Sequence, residues 1–458
     1  MILLAAGMSA IRAATGPRLS FQLHHTALLD DRAWGDPQRL LATTLAGSGL
    51  RVESVVAFED NSAFAYLAGT ASKEGGANDP SVSARLWRRL VLLKPSTFVI
   101  DDRIQLSRAE ALLGWRLPLQ NAAEISGNKA AVVEANGRWD FTTLLPEKVS
   151  LRNVAARRQG NAHQLRIEPR RRGGSERFIH VFDFRKSNEL RKAATSQLRP
   201  TSEGHELTVA FADKTARLWL APAQTDSSRY IEIVQSDGSS RLERRLLPGG
   251  VLPHGPEGAR LLERWDSAYR SDGRPAWDTG RPSGELKRLV EDGTLQPCRV
   301  IELGCGTGTT SIYLASRGFT VTAADIAPTA LRLAEMKAEK SGARVNWLLA
   351  DVLAMPELRP FDLVFDRGCY HGVRRQNARA YVETLKRLTR PGSRVLILAG
   401  NANEPKPHYG PPRVAEEEVR SDFAPWFQFD SLREIRFDVA DPQQKGALAW
   451  SILMQRTK

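Results

Sequence analysis

Three glycines stand at alternate positions, Gly304, Gly306 and Gly308, inside Val300-Ile-Glu-Leu-Gly-Cys-Gly-Thr-Gly. An apolar run of strand character precedes them and a helix-compatible run reaching Ser316 follows. A strand that turns at once into a helix, or whose backbone must lie against a ligand, leaves no room for Cβ at the turn. The rhythm then repeats. Residues 320–325, 345–349, 361–366 and 394–399 read as buried strands, and 286–291, 328–341 and 378–388 as helices. Strand-like runs at 432–437 and 448–454 would close the sheet. Helices alternating with short apolar strands require a doubly wound, mostly parallel sheet, a Rossmann-like α/β layer.

Ligands of such sheets bind beyond the carboxyl ends of the strands. Asp325 ends the strand after the glycine turn, where a carboxylate can accept both ribose hydroxyls of an adenosyl ligand. A dinucleotide site asks for GxGxxG, whereas this chain has GxGxG with Glu302 two residues ahead of the first glycine. An acid at that place suits a ligand with a positive amino group and no pyrophosphate. The residues therefore favour S-adenosylmethionine over NAD.

The run Glu302-Leu-Gly-Cys-Gly-Thr-Gly308 resembles motif I of the class I methyltransferases, and the likeness extends over about residues 260–458. The resemblance implies that Glu302, Gly304, Gly306 and Gly308 hold the donor. It implies further that Asp325 and Ile326 meet the ribose, that Asp351 and Val352 meet the adenine, and that Asp366 faces the methyl group. Upstream, Trp265-Asp-Ser-Ala-Tyr269 and Pro275-Ala-Trp277-Asp-Thr-Gly-Arg-Pro-Ser are similar to the segment that folds over the donor in thiopurine, thiol and halide methyltransferases. By position, Trp265 and Trp277 would then touch the donor or line the acceptor pocket. The implied activity is methyl transfer to a small molecule, a thiol or halide foremost, with oxygen or nitrogen of a metabolite as the alternative. A soft acceptor needs only in-line alignment. A harder one would call on Tyr370 or His371 as a base. The loop at 401–412 follows the fifth strand and is expected to cover the strand ends.

The first half has another character. Between residues 21 and 247, short alternating β runs at 85–93, 97–104, 112–117, 129–134, 164–167, 178–182, 206–211, 216–220 and 230–234 are separated by turn residues. Such spacing suggests an all-β sandwich. A Pro- and Gly-dense stretch from Leu246 to Gly258 then interrupts any regular element. The expected division is a β-sandwich over 1–250, a linker over 251–258 and the α/β domain over 259–458. Trp87-Arg-Arg-Leu-Val-Leu-Leu-Lys-Pro-Ser-Thr-Phe-Val-Ile-Asp-Asp-Arg103, with Trp115 beyond it, resembles the C-terminal β-sheet domain of heparinase II/III-type polysaccharide lyases. The helical toroid that supplies much of those enzymes' catalytic site is not expected here, so no complete lyase site is implied.

Charge bears on partners. The chain carries +13 overall. Residues 151–200 hold 13 Lys and Arg against 4 Asp and Glu, a net of +9. Arginine-rich surface suits sulfate or carboxylate, so an acidic glycan is a candidate partner of that segment. Only Phe178, Phe182 and Phe184 interleave the arginines, at strand spacing, which gives no stacking platform for nucleic acid. No apolar run is long enough to span a membrane, and the apolar start at Met1 lacks the positive flank of a signal peptide. The three cysteines, Cys298, Cys305 and Cys369, form no CxxC pair, and the histidines, among them the adjacent His24 and His25, lack ligand spacing. A reducing, cytoplasmic setting without a metal site is the expectation.

Overall fold

The structure is a computed structural model that describes residues 18–22, 34, 36–46, 48–74, 83–107, 112–158, 161–170, 173–202, 204–221, 230–270, 274–406, 410–441 and 443–457. His24, His25, Arg171, Arg172, the side chains of Arg157 and Arg158, the apolar start and residues 407–409 of the expected lid lie outside them. The chain divides into two compact units: residues 1–55 with 68–194, and residues 56–67 with 195–458.

Among its described residues, the first unit is built from β-strands and one short helix, Pro37–Thr44. A four-stranded sheet runs in the order Arg18–Gln22, Leu112–Leu119, Asn161–Pro169, Val149–Arg158. An eight-stranded sheet, whose first two strands reach into residues 56–67, is centred on Ala84–Leu93, Thr97–Leu106, Ser175–Arg185 and Gly137–Leu145. Every β run expected between residues 84 and 246 is a strand, most of them longer at one or both ends.

Antiparallel pairing sets Arg88 opposite Asp102 and Arg89 opposite Asp101. Arg88 holds Asp102 with two bonds, Nε to Oδ1 at 2.8 Å and a second nitrogen to Oδ2 at 2.6 Å, and both side chains are fully buried. Trp115 Nε1 donates to the same carboxylate at 2.9 Å, and the remaining Arg88 nitrogen reaches the Thr44 carbonyl at 3.1 Å. Asp101 is shared by Arg89 and Arg177. Arg88, Asp102 and Trp115, three residues of the lyase resemblance, are thus bonded to one another in the buried interior. Four of the thirteen basic residues of the segment also face carboxylates, since Arg152, Arg177, Arg185 and Arg191 pair with Glu168, Asp101, Asp140 and Asp183.

The second unit joins two layers. One is a five-stranded antiparallel meander, Thr195–Thr201, Gly204–Phe211, Lys214–Leu220, Tyr230–Gln235 and Ser240–Leu246. The other is a seven-stranded sheet of β1 (Arg299–Leu303), β2 (Thr320–Asp325), β3 (Val345–Leu349), β4 (Phe361–Arg367), β5 (Thr389–Gly400), β6 (Phe427–Arg436) and β7 (Leu448–Arg456). Its order is β3-β2-β1-β4-β5-β7-β6, with β7 antiparallel to both neighbours and the first five strands parallel. Its helices are α1 (Gly255–Arg270), α2 (Gly284–Glu291), α3 (Thr309–Ser316), α4 (Pro328–Ser341), α5 (Tyr370–Leu388) and α6 (Glu416–Phe423). Apolar side chains fill both faces: Ile301, Leu303 and Val364 pack with α5 and α6, whereas Val300, Val321 and Phe365 pack with Leu286 and Leu314. A strand buried on both faces needs such continuous apolar runs.

Two of the departures from the sequence reading concern where helices begin. Helix α1 begins at Gly255, within the stretch expected to be irregular. Pro256 sits in its first turn, where a missing N–H costs nothing. Helix α5 begins at Tyr370 rather than near 378, with non-helical backbone at Asn377. Asn377 caps the second part by accepting the Ala380 N–H at 2.9 Å.

Asp102→Ala should cost the first unit about 3–5 kcal/mol, since it strands a buried guanidinium. Urea unfolding of the full chain followed by circular dichroism checks this, and a loss under about 1 kcal/mol would remove the pair from its central place.

Candidate functional site

The glycine turn closes β1. Gly304, Gly306 and Gly308 all have left-handed φ, 66°, 53° and 73°. A Cβ on Gly308 would stand 2.4 Å from the Trp347 ring and 2.7 Å from the Ala334 Cβ, so this position accepts glycine alone. At Gly306 a Cβ would come within 3.1 Å of the Tyr269 hydroxyl, which places that phenol directly over the turn.

Three acids gather at the carboxyl ends of β1, β2 and β4. Asp325 accepts the Gly306 N–H at 2.7 Å and the Ala327 N–H at 2.9 Å. Burial raises its carboxyl, and these backbone donors oppose the rise. Glu302 is 4% exposed and accepts the Ser311 hydroxyl. Burial pushes it up to about 8, opposed by Ser311 and Arg367 and reinforced by Asp325 and Asp366. Asp366, beside Leu303 in register, is wholly enclosed. It accepts the N–H groups of Cys369 and Tyr370 at 2.9 Å each and the Tyr381 hydroxyl at 2.5 Å. It therefore caps α5, and burial raises it to about 7. Asp351 accepts the Leu353 N–H at 2.9 Å beyond β3 and is raised by burial. Val352 is buried in the core beneath, and Ile326 lies half-buried against the cluster around Cys305 and Trp347.

The segment from α1 to α2 lies against the turn. Trp265 and Trp277 meet edge to face with centroids 6.1 Å apart, and Trp277 stays 47% exposed. Its indole N–H donates to the Tyr269 hydroxyl at 3.0 Å. Asp266 takes the N–H of Thr329 at 2.7 Å and its hydroxyl at 3.0 Å, supplying the N-terminal cap that Ala327 cannot give α4. Asp278 accepts the Thr307 hydroxyl at 2.6 Å, while Lys337 on α4 donates to the same Thr307 oxygen. Arg367 holds the carbonyls of Trp277 at 3.1 Å and Asp438 at 3.2 Å.

Tyr370 and His371, the candidate bases, are engaged elsewhere. The Tyr370 hydroxyl donates to Asp422 at 2.7 Å, and burial with that carboxylate raises it far above the ordinary phenol. His371 Nδ1 accepts the Gly400 N–H at 2.9 Å, which leaves the proton on Nε2. Burial, Arg367 and Arg375 lower the ring to about 4. A neutral ring in this tautomer offers a donor, so the base role expected of these two does not follow from their geometry.

Residues 300–392 match the family described as methyltransferase domain. The 2-heptyl-1-hydroxyquinolin-4(1H)-one methyltransferase of Mycobacteroides abscessus is 29% identical over 185 residues, 38% of this chain and 81% of that protein. A probable thiol methyltransferase of Arabidopsis thaliana is 25% identical over 185 residues, 40% of this chain and 80% of that protein. An uncharacterised methyltransferase of Schizosaccharomyces pombe is 30% identical over 112 residues, 24% of this chain and 77% of that protein. The chain belongs to the S-adenosylmethionine-dependent methyltransferases.

The methyltransferase's own residues fit its cofactor. Glu302, Asp325 and Asp366 crowd one end of the sheet, and the positive group acting on Glu302 is Arg367, already engaged by two carbonyls. A cationic ligand relieves such a cluster. Among the described residues, no group of His, Cys, Asp and Glu could hold a metal, and no helix is long and apolar enough to cross a membrane. Sequence reasoning missed Tyr269, Asp278, Thr307, Lys337 and Arg367. Tyr269 was accessible, lying one helical turn beyond Trp265 and therefore on the same face. Lys337 gave no signal, because only the packing of α4 brings it to Thr307.

Glu302 carries a proton in the folded, ligand-free chain up to pH about 8, against an ordinary value of 4.5. The folded state then binds more protons than the unfolded one across that window, so stability falls as pH rises through it. Thermal unfolding between pH about 5 and about 8 should show the wild type losing stability relative to Glu302→Gln as pH rises, on a background that raised Asp366 and lowered His371 give both proteins. An unchanged slope in the variant would assign the decline to another group.

Proposed function

We propose that this methyltransferase acts on a small molecule whose accepting atom is soft or already ionised, a thiol foremost. The observation that carries the reading is the engagement of the two base candidates: His371 is held as an Nε2–H donor and Tyr370 is tied to Asp422. An acceptor that arrives as an anion or a soft nucleophile needs alignment rather than deprotonation. The relatives support this, one named for thiols and one for a 1-hydroxyquinolinone. The second name favours an acidic hydroxyl oxygen as the alternative acceptor, which meets the same requirement.

In this reading the donor supplies an electrophilic methyl carbon on a sulfonium. Asp325 and Ile326 hold its ribose, Asp351 and Val352 border its adenine, and the turn amides with Glu302 receive its amino acid end. Trp265, Tyr269 and Trp277 cover the turn and exclude water. Asp366 acts by fixing the start of α5 beside the site. Of the lyase-type β-sandwich expected over 1–250 we retain the part that lies in the first unit, residues 1–55 with 68–194, and the support is the buried network of Arg88, Asp102 and Trp115 among the residues of the resemblance.

Calorimetry with S-adenosylhomocysteine should give saturable binding to the full chain, weakened about tenfold or more by Asp325→Ala, which removes charge-assisted hydrogen bonds. Absence of binding to the wild type would sink the donor assignment. A donor-consumption screen over thiols, halides, phenols and amines tests the acceptor. Turnover confined to thiols, halides and acidic hydroxyls is expected, and a preference for amines would contradict the reading.

A further inference from the structure

The five-stranded meander grips the two elements that flank the adenosine side of the site. On one side, Tyr230 donates its hydroxyl to Glu335 of α4 at 3.0 Å, and Glu243 pairs with Arg332 of α4 at 2.8 Å. Arg244 lies over the Tyr230 ring, 4.3 Å from its centroid, and over Trp219 at 5.1 Å, which fixes the phenol's direction. On the other side, the chain leaving the meander runs along edge strand β3, where the Gly249 N–H donates to the Leu349 carbonyl at 2.9 Å. A Cβ at Gly249 would stand 2.3 Å from a Leu348 methyl, so the approach is close. Leu246 and Leu252 share one buried cluster with Leu331, Ala334, Trp347 and Cys305.

Helix α4 follows Asp325 and Ile326, and β3 precedes Asp351 and Val352. The opposite side of α4 meets the glycine turn, because Ala334 abuts Gly308 and Lys337 bonds Thr307 and Thr309. Glu335 and Lys337 are two residues apart on one rigid element, which makes α4 a beam between the meander and the turn.

Resting on the donor assignment above, we propose that the meander is a positioning element of the donor site, with Tyr230 setting α4 through Glu335 so that the turn keeps its binding geometry. The meander then contributes to donor affinity without touching donor. The loss of one hydrogen bond at that joint weakens affinity about fivefold.

The test is calorimetry with S-adenosylhomocysteine on full-length Tyr230→Phe, Glu335→Gln and Val209→Ala, with thermal unfolding measured on each. Val209 is buried in the meander and opens a small cavity there when shortened. Tyr230→Phe should weaken binding about fivefold. Glu335→Gln, which still accepts the phenol proton, should bind nearly as the wild type does. Val209→Ala should lower the unfolding temperature and leave the dissociation constant unchanged. The proposal is overturned if Tyr230→Phe binds within twofold of wild type, or if Val209→Ala weakens binding equally, since the effect is then general instability. Failure of the wild type to bind overturns the donor assignment instead.

Discussion

The bond from the Gly306 amide to the Asp325 carboxylate joins the two strand ends on which the site is built. The turn that allows it holds three left-handed glycines at alternate positions, which bring the backbone under the end of β2. Everything placed over the turn depends on that low profile. The Tyr269 phenol comes close to Gly306 because no side chain intervenes, and Trp347 with Ala334 packs on Gly308 for the same reason. A bulkier turn would displace α4 and the segment above it together.

Burying three acids at one end of a sheet is costly in a ligand-free protein. The fold reduces that cost with donors that lack full charge: Ser311 for Glu302, two amides for Asp325, and two amides with Tyr381 for Asp366. Glu302 and Asp366 remain raised because burial exceeds what these donors return. Such a cluster favours positive charge, which under the proposed donor assignment the sulfonium and amino group would supply. Surface charge has little part in this selection. Four of the thirteen basic residues at 151–200 face carboxylates of their own unit.

The α/β layer was legible because its signals are local: glycines at fixed spacing, an acid closing each of three strands, and apolar runs with helical or strand period. The β runs of the first half were legible for the same reason. What the sequence concealed depends on partners distant in the chain. Asp366 reads as a site acid, yet it caps α5 and holds Tyr381, fifteen residues away. His371 reads as a base until the Gly400 amide fixes its tautomer. The meander reads as part of the first half, since a Pro- and Gly-dense stretch follows it, but its contacts place it in the compact unit of the α/β layer.

The central claim is that a protonated Glu302 awaits a cation beside the glycine turn. Titrating S-adenosylmethionine into the full chain at pH about 7, in two buffers of different ionisation enthalpy, counts the protons exchanged on binding. Release of up to about one proton per donor bound is expected, and it should vanish in Glu302→Gln. Binding by the wild type without any proton release would contradict the account.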